Sequence, residues 1–532
     1  MTIQYRKVPS DTRFPGVIGP LTETEGNQWR EDMENWANGF TPSGTFVSPQ
    51  DYVIAQNIVG GATYYSASTA YQTVYGGSDG VGGVDGLDMT TLMAAVWADL
   101  ATAGGSVIIK GDGTYTFKTG ISFSPSIYTY TCGMSIPDNC MLIVEKGAIL
   151  TQADDVNLNM MIANAAWVDC TFGTAFSQNI TVDCYGIIDM NYANQSGLGV
   201  GNECSPVRMY YVNQCSFPHL RGQNYGRYGV LCINGTNIDI GVVKGEDGYD
   251  AANYAGVIFV TGVETNGVTI DTVYGHNIAG AAVYLEDHPV NVAIGKIIAI
   301  NDAQVGVQAT AFSVAIATNF HVGSIIAVNM NRGVTIDCQN ADVELHGKID
   351  SVFVINSYYD GIQITNSGAS DFSTNLMDLQ FGRVTSLNNG QGGGTYAGVN
   401  IAVYCSGISF DYLYSSDTQA GKTQQWGLIC NLVDSITVTA GDLRENASGG
   451  KNVASATNLF FGNIIGYSTS SAGAATGTAA EQTIAHGLTV APSSVSIVPD
   501  NSGTAVSNVW ADATNIYATV SNGRSYKWKA TV

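Results

Sequence analysis

Short alternating apolar runs recur along the middle of the chain, each opened by a glycine. They read Gly229-Val230-Leu231, Gly256-Val257-Ile258-Phe259, Gly280-Ala281-Ala282-Val283, Gly306-Val307-Gln308 and Gly333-Val334-Thr335-Ile336. They continue as Gly361-Ile362-Gln363-Ile364, Gly398-Val399-Asn400-Ile401 and Gly427-Leu428-Ile429. The glycines step by 27, 24, 26, 27, 28, 37 and 29 residues. Alternation with a period of two predicts strands, and a fixed longer period predicts a stack of equivalent units.

A second unit falls between successive copies of the first. It appears as Ile238-Asp239-Ile240-Gly241, Val268-Thr269-Ile270-Asp271, Val292-Ala293-Ile294-Gly295, Phe320-His321-Val322-Gly323, Leu379-Gln380-Phe381-Gly382 and Ile408-Ser409-Phe410-Asp411. A third short apolar strand follows, as in Lys296-Ile297-Ile298-Ala299-Ile300-Asn301. Three strands and three turns in fewer than about 30 residues make one coil of a right-handed parallel β-helix. A propeller blade has four strands and a period nearer about 40–50 residues, so the spacing disfavours it. Asn277, Asn301, Asn329, Asn356 and Asn388 recur at the turn after the third strand, where stacked amides serve structure rather than chemistry.

The ends differ from the middle. Residues 1–85 are irregular, apart from a helix expected around Thr24 to Ala37, and read as an anchoring or cap segment. Asp88 is placed to N-cap a helix from Met89 to about Thr102, whose apolar stripe is Leu92, Val96 and Leu100 with Met93 and Trp97 beside it. Gly104 and Gly105 end it, and the strands Ser106–Ile109 and Thr114–Phe117 follow. Residues 86–467 are assigned to the β-helix and 468–480, rich in Ser, Ala, Gly and Thr, to a linker. Residues 481–532 are assigned to a small β-sandwich module with strands near 494–498, 508–510, 515–520 and 525–530.

The helix, the Gly-Gly stop and the strand after it resemble the start of pectate-lyase-like β-helix domains, which are frequent in phage tailspikes. Here Gly83-Val84-Asp85-Gly86-Leu87-Asp88 stands where that family has acidic and small residues. The resemblance covers the fold over roughly residues 85–467 and transfers no catalytic residue. Neither the Gly-His-Gly signature of polygalacturonases nor a convincing pectate-lyase calcium cluster is found. It implies a helix covering the open end of the solenoid, a homotrimer, and a place on a virion tail, with attachment through the N-terminal segment.

Composition narrows the partners. The formal net charge of -23 argues against nucleic acid and anionic membrane surfaces, and is compatible with a neutral or locally chelated sugar. Met1 to Arg30 holds no apolar leader run, and no stretch reaches the length of a membrane span. Seven of the ten cysteines lie between Cys132 and Cys232 with no C-x-x-C pair, so they read mostly as buried free thiols; no metal or cofactor is implied. The alternative is a Cys204–Cys215 or Cys132–Cys140 disulfide.

Stacked coils offer a groove for a linear polysaccharide, and hydrolysis there needs two carboxyl groups. Alignment on the glycine unit sends its third and fifth positions outward: Gln308 and Thr310, Thr335 and Asp337, Gln363 and Thr365, then Asn400. Glu286 follows the same strand two coils before Asp337, roughly 10 Å away, and the two are the expected catalytic pair. Tyr284, Asp287, Gln308, Thr335, Arg332 and Asp360 are expected to bind substrate. Arg332 and Asp360 take equivalent positions in adjacent coils, where a mere surface ion pair is the alternative. Glu246, Asp247 and Asp250 read as a solvated turn. Among the tyrosines, Tyr225, Tyr228, Tyr254, Tyr284 and Tyr396 are open to sugar stacking, though most tyrosines pack. Inserted loops at Asn366–Met377 and Gly390–Tyr396 lengthen two coils, and loops of this kind often wall a groove.

The expected function is a tailspike-like protein that binds a bacterial or host cell-surface polysaccharide and depolymerises it. Glycoside hydrolysis is preferred over lyase elimination. A non-catalytic adhesive or structural virion protein is the second reading, and a secreted polysaccharide-degrading enzyme the third.

Overall fold

The computed structural model describes residues 51–532 except 71, 126–127, 171–175, 198–202, 249–254, 304–308, 340–343, 373–376, 466–469, 486–491, 501, 513–514 and 532. The helix expected around Thr24–Ala37, and Gln308, Asp250 and Tyr254, lie outside the described residues.

The repeat folds as a parallel β-helix. On the first face, strands such as Ala281–Glu286, Thr310–Val314, Arg332–Asp337 and Ile362–Thr365 pair in parallel, each with its counterpart one coil on. Strands such as Val290–Ile300, Thr318–Val328 and Leu345–Ile355 run through the second face, turn a corner and continue on the third. Successive side chains alternate across each face, so one set points in and the other out. One inward column on the first face runs Met134, Ile162, Val207, Leu231, Ile258, Val283, Phe312, Val334, Ile362, Val399 and Leu428. All are buried. The column ends on Lys451, also buried, whose ammonium sits 4.2 Å over the Phe461 ring.

Asparagines hold the corners. Asn277, Asn329, Asn356 and Asn388 adopt positive φ, a conformation asparagine tolerates better than most residues. Asn356 donates to Asn329, and Asn329 donates to the carbonyl of Asn301. A further corner carries the links Asn179 to Asn139, Asn237 to Asn213 and Asn291 to Asn266.

Glycine-based alignment fails at two coils: Ile258 pairs with Val283 rather than Ala282, and the match is lost again one coil later. Thr335 pairs with Ser313, not with Gln308, and Thr310 pairs with Arg332. The first-face strand of that coil begins at Thr310, well past Gly306. Alignment on glycines therefore does not predict where that strand starts. From Gly333 onward the glycines do stack: a Cβ at Gly333 would lie 2.8 Å from the Gly361 carbonyl oxygen, and one at Gly361 2.7 Å from that of Gly398.

Helix Met89–Leu100 is N-capped by Asp88, which accepts from the Thr90 amide at 3.0 Å and from the Lys118 amide at 2.9 Å. Its Leu92, Met93, Val96, Trp97 and Leu100 join the core of the first coils. Stacking begins earlier than the sequence suggests. Tyr52–Val59 pairs in parallel with Gly105–Ile109 and antiparallel with Ala62–Ser68, so this stretch is ordered strand rather than irregular.

The expected linker is also strand. Ser470–Thr476 pairs with Ser525–Thr531, which pairs with Ser494–Pro499. Glu481–Ala485, Asn515–Val520 and Val506–Ala511 make a second antiparallel sheet. Among the small residues that mimic a linker, Gly473 is required by packing, because a Cβ there would lie 2.8 Å from the Trp528 ring. Ile516, Ala518, Val520, Tyr526, Trp528 and Ala530 form the core of these two sheets. All ten cysteines are free thiols; nine are buried and Cys170 is exposed.

Candidate functional site

The outward side of the first face changes character along the solenoid. One outward column reads Arg208, Cys232, Phe259, Tyr284, Ser313, Thr335, Gln363, Asn400. Its early part is aromatic. Phe259 stacks on Tyr228 at 5.4 Å and on Tyr284 at 5.3 Å between ring centroids, with planes 12° and 15° apart. Arg208 closes this end, buried against Tyr228, Trp167, Tyr130 and Tyr210 and paired with Glu203 at 2.6 Å. The later part, from Ser313 to Asn400, is polar. An aromatic strip running into a row of hydroxyls and amides suits a ligand with both apolar and hydroxylated surfaces.

Glu286 and Asp337 belong to the neighbouring column. Thr261 pairs with Glu286, and Asp337 with Thr365, while the coil between contributes Ala315, whose amide bonds the Leu285 carbonyl. The two carboxylates are therefore two coil spacings apart, as expected. Their surroundings differ. Glu286 is half-buried and accepts from the Tyr284 hydroxyl at 3.1 Å. Burial, followed by the charge of Asp287, raises its pKa, while the Tyr284 bond opposes the rise. Asp337 instead accepts from the Ser367 amide at 3.0 Å and the Ser367 hydroxyl at 2.8 Å, pinning the turn of the next coil. Asp287 accepts from the Thr261 hydroxyl at 2.9 Å and, like His288, sits at positive φ.

Arg332 and Asp360 also come together. Asp360 is buried and accepts from the Ala397 amide at 2.7 Å and from the Asn400 side chain at 3.1 Å. Burial raises its pKa, and the nearby Arg332 charge works against that. The Arg332 guanidinium lies 4.8 Å over Tyr359, which packs on Tyr396 at 5.0 Å and Tyr358 at 4.9 Å. The loop before Tyr396 thus brings an aromatic wall to this edge. Among the described residues, Arg332 Nε, Thr310 Oγ1 and Thr335 Oγ1 are enclosed without a hydrogen-bond partner. Sequence reasoning missed Tyr358 and Tyr359; adjacent aromatics at a turn immediately before a strand were the available signal.

Other sequence candidates fall elsewhere. Tyr225 is fully buried and donates to the Gly256 carbonyl, a packing role. Glu246 pairs with Arg221 at 2.9 Å on the third face. An open depression of about 410 Å³ lies on the second face, lined by Asn319, His321, His346, Lys348, Asp378 and Gln380. Its exposed ion pairs, such as His321–Asp350 at 2.9 Å, are of a kind that contributes little. Among the described residues no group of three or more His, Cys, Asp or Glu is arranged to hold a metal, and no helix is long and apolar enough to cross a membrane.

No family model and no curated protein matches the chain. Solved structures similar to it include phage tailspike proteins and a bacterial epimerase module. A mutant tailspike protein of E. coli bacteriophage HK620 in complex with a pentasaccharide is 11% identical, with a TM-score of 0.44, covering 83% of this chain and 89% of that one. Another mutant of that tailspike, in complex with a hexasaccharide, is 10% identical, with a TM-score of 0.42, covering 95% and 99%. The A-module of the Azotobacter vinelandii mannuronan C-5 epimerase AlgE6 is 11% identical, with a TM-score of 0.30, covering 71% and 95%.

Proposed function

We propose that the first face is a glycan groove and that the protein is a tailspike-like depolymerase of a cell-surface polysaccharide. The carrying observation is the continuous outward column that passes from Phe259 and Tyr284, with Tyr228 stacked on Phe259, to Ser313, Thr335, Gln363 and Asn400, with half-buried Glu286 beside it. Phe259 is itself buried between the two tyrosines, so the partly exposed Tyr228 and Tyr284 rings take the C–H sides of sugar rings and the polar row takes their hydroxyls. Arg332, Thr335 and Asp360 line the far end; Asp287 and Tyr284 flank the acid.

In this reading Glu286 is the general acid. Its raised pKa keeps a proton available, which passes to the glycosidic oxygen as the bond to the anomeric carbon breaks. Water attacks that carbon from the opposite side and gives up its proton to Asp337. A gap of two coil spacings, about 9.5 Å, leaves room for water and sits at the upper limit for inversion, well beyond the roughly 5–5.5 Å of retention. The test is reducing-end release from a panel of capsular polysaccharides and lipopolysaccharides, with Glu286→Gln and Asp337→Asn beside the wild type. Cleavage that survives both variants overturns the assignment.

One observation favours a second reading. Both Asp337 oxygens are engaged by Ser367, as in a purely structural cap. A non-catalytic adhesin would bind glycan on the same face without cleaving it.

The proposal extends to assembly. Helix Met89–Leu100 acts as a lid over the first coil, residues 1–85 attach to the virion tail, and the chain forms a homotrimer. Supporting the last point, the third face is apolar on its outer side: Tyr274, Ile298, Ile326 and Phe353 form one outward column, and Ile300, Val328, Ile355 and Leu387 the next.

A further inference from the structure

The C-terminal sheets carry a second feature, separate from the groove. Trp510 and Tyr517 are directly opposed on neighbouring antiparallel strands. Their rings stack at 3.8 Å between centroids with planes 9° apart. Both belong to the outer side of their sheet, because Ile516, Ala518 and Val520 on the Tyr517 strand are fully buried on the other. Trp510 is 48% exposed, consistent with one indole face covered by Tyr517 and the other open.

The indole is held in place. Its Nε1 donates to the Glu481 carboxylate at 3.2 Å, from the strand on the other side of Tyr517. The Tyr517 hydroxyl donates to Asp512 at 2.8 Å, and Asp512 also accepts from the Asn515 amide at 2.7 Å. An exposed large aromatic normally gains by burial. Here it is instead fixed at the surface by a stacking partner and a hydrogen bond. A rigid, open aromatic plane loses little freedom on binding a flat ligand. Glu481 and Asp512 at its rim are hydrogen-bond acceptors of negative charge, which favour a ligand with hydroxyl donors and disfavour an anionic one.

We propose that Trp510, backed by Tyr517 and rimmed by Glu481 and Asp512, is a binding platform for a pyranose ring of a neutral glycan. It tethers polysaccharide to the C-terminal sheets and acts independently of the groove. Another copy of this chain or an acidic sugar on the same face would count against it.

The test is affinity electrophoresis of the full chain through gels containing dextran, mannan, galactan, alginate or polygalacturonate. Wild type is compared with Trp510→Ala, Trp510→Phe and the groove variant Tyr284→Ala. The expected result is retardation in at least one neutral gel, weakened about tenfold in Trp510→Ala and partly kept in Trp510→Phe. That loss should appear whether or not Tyr284→Ala changes retardation, so the platform stands or falls apart from the groove. Near-ultraviolet circular dichroism and sedimentation check that Trp510→Ala keeps the fold and assembly state. Equal retardation of wild type and Trp510→Ala, retardation by the acidic gels alone, no retardation in any gel, or a change of assembly state in Trp510→Ala would each overturn the proposal.

Discussion

Glu286 and Asp337 stand in one outward column of the first face with the Ala315 coil between them, yet only Asp337 is tied into a turn. That difference separates their expected phenotypes. Glu286→Gln should lower kcat by about 10²–10⁴-fold, the usual loss on removing a general acid, with little change in stability. Asp337→Asn should lower stability by about 1 kcal/mol through its weakened hold on Ser367. If Asp337 is also the base, kcat falls with it. Melting curves beside initial rates distinguish the two: a destabilised Asp337→Asn with full activity reduces that residue to a structural cap.

The pH profile should carry the mark of Glu286. A general acid works while protonated, so a raised pKa extends activity toward alkaline pH. The Asp287 charge contributes to the rise, and the Tyr284 hydroxyl opposes it. Asp287→Asn should therefore move the alkaline limb of kcat to lower pH, and Tyr284→Phe should move it to higher pH. Limbs that shift together, or not at all, would remove Glu286 from the acid role.

Asp360 should matter for folding as well as for binding. Its buried carboxylate satisfies the Ala397 amide and the Asn400 side chain. Asp360→Ala leaves those donors enclosed and should cost about 2–4 kcal/mol in denaturant unfolding. Asp360→Asn keeps an acceptor for Ala397 and should cost less. Equal midpoints for wild type and Asp360→Ala would mean that water replaces the carboxylate freely.

The sequence shows much of this architecture and conceals a definite remainder. Inward positions are legible because alternation records which side is covered, as Val334-Thr335-Ile336 does in a single strand. Tyr284 and Glu286 share the strand Ala281–Glu286, and Asp337 ends the strand Arg332–Asp337 two coils on, because alternation within a short strand survives whatever precedes it. Thr335 pairs with Ser313 because the strand of that coil starts at Thr310, a position that counting from glycines does not predict. Tyr359 reaches Arg332 only through a turn whose path the sequence does not specify. The apolar third face was readable in principle: Ile297-Ile298-Ala299-Ile300 does not alternate, and an uninterrupted run signals a strand covered on both sides. The Trp510–Tyr517 pair depends on a bulge between Ser507 and Trp510, which local pattern does not reveal.

Lys451 gives a stability prediction independent of any glycan. It ends an otherwise apolar inward column, and burial lowers its pKa from 10.5 to about 8. Between those values the unfolded chain holds a proton that the folded chain does not, so stability rises with pH across the window. Below about pH 8 the full penalty for enclosing the charge is present, about 3 kcal/mol, partly relieved by the Phe461 ring. Lys451→Met should be more stable than wild type at pH 7, and the advantage should shrink as pH rises from 8 toward 10.5. A constant difference across that range would show that the lysine is not titrating inside the coil.

The third face tests assembly. Ile326 and Phe353 are adjacent in one outward column, with Ile300, Val328 and Ile355 beside them. Each is only partly covered within one chain. Apolar surface contributes about 25 cal/mol per Å² when removed from water, and a strip spanning several coils is what an obligate subunit contact requires. A carboxylate there would be desolvated without a partner on every copy of a symmetric assembly. Phe353→Asp and Ile326→Asp should therefore convert a three-chain species to single chains in sedimentation velocity. Thr437→Asp, at an outward position of the second face, should leave the mass unchanged. A wild type that sediments as one chain would remove the trimer and leave the apolar face to another partner.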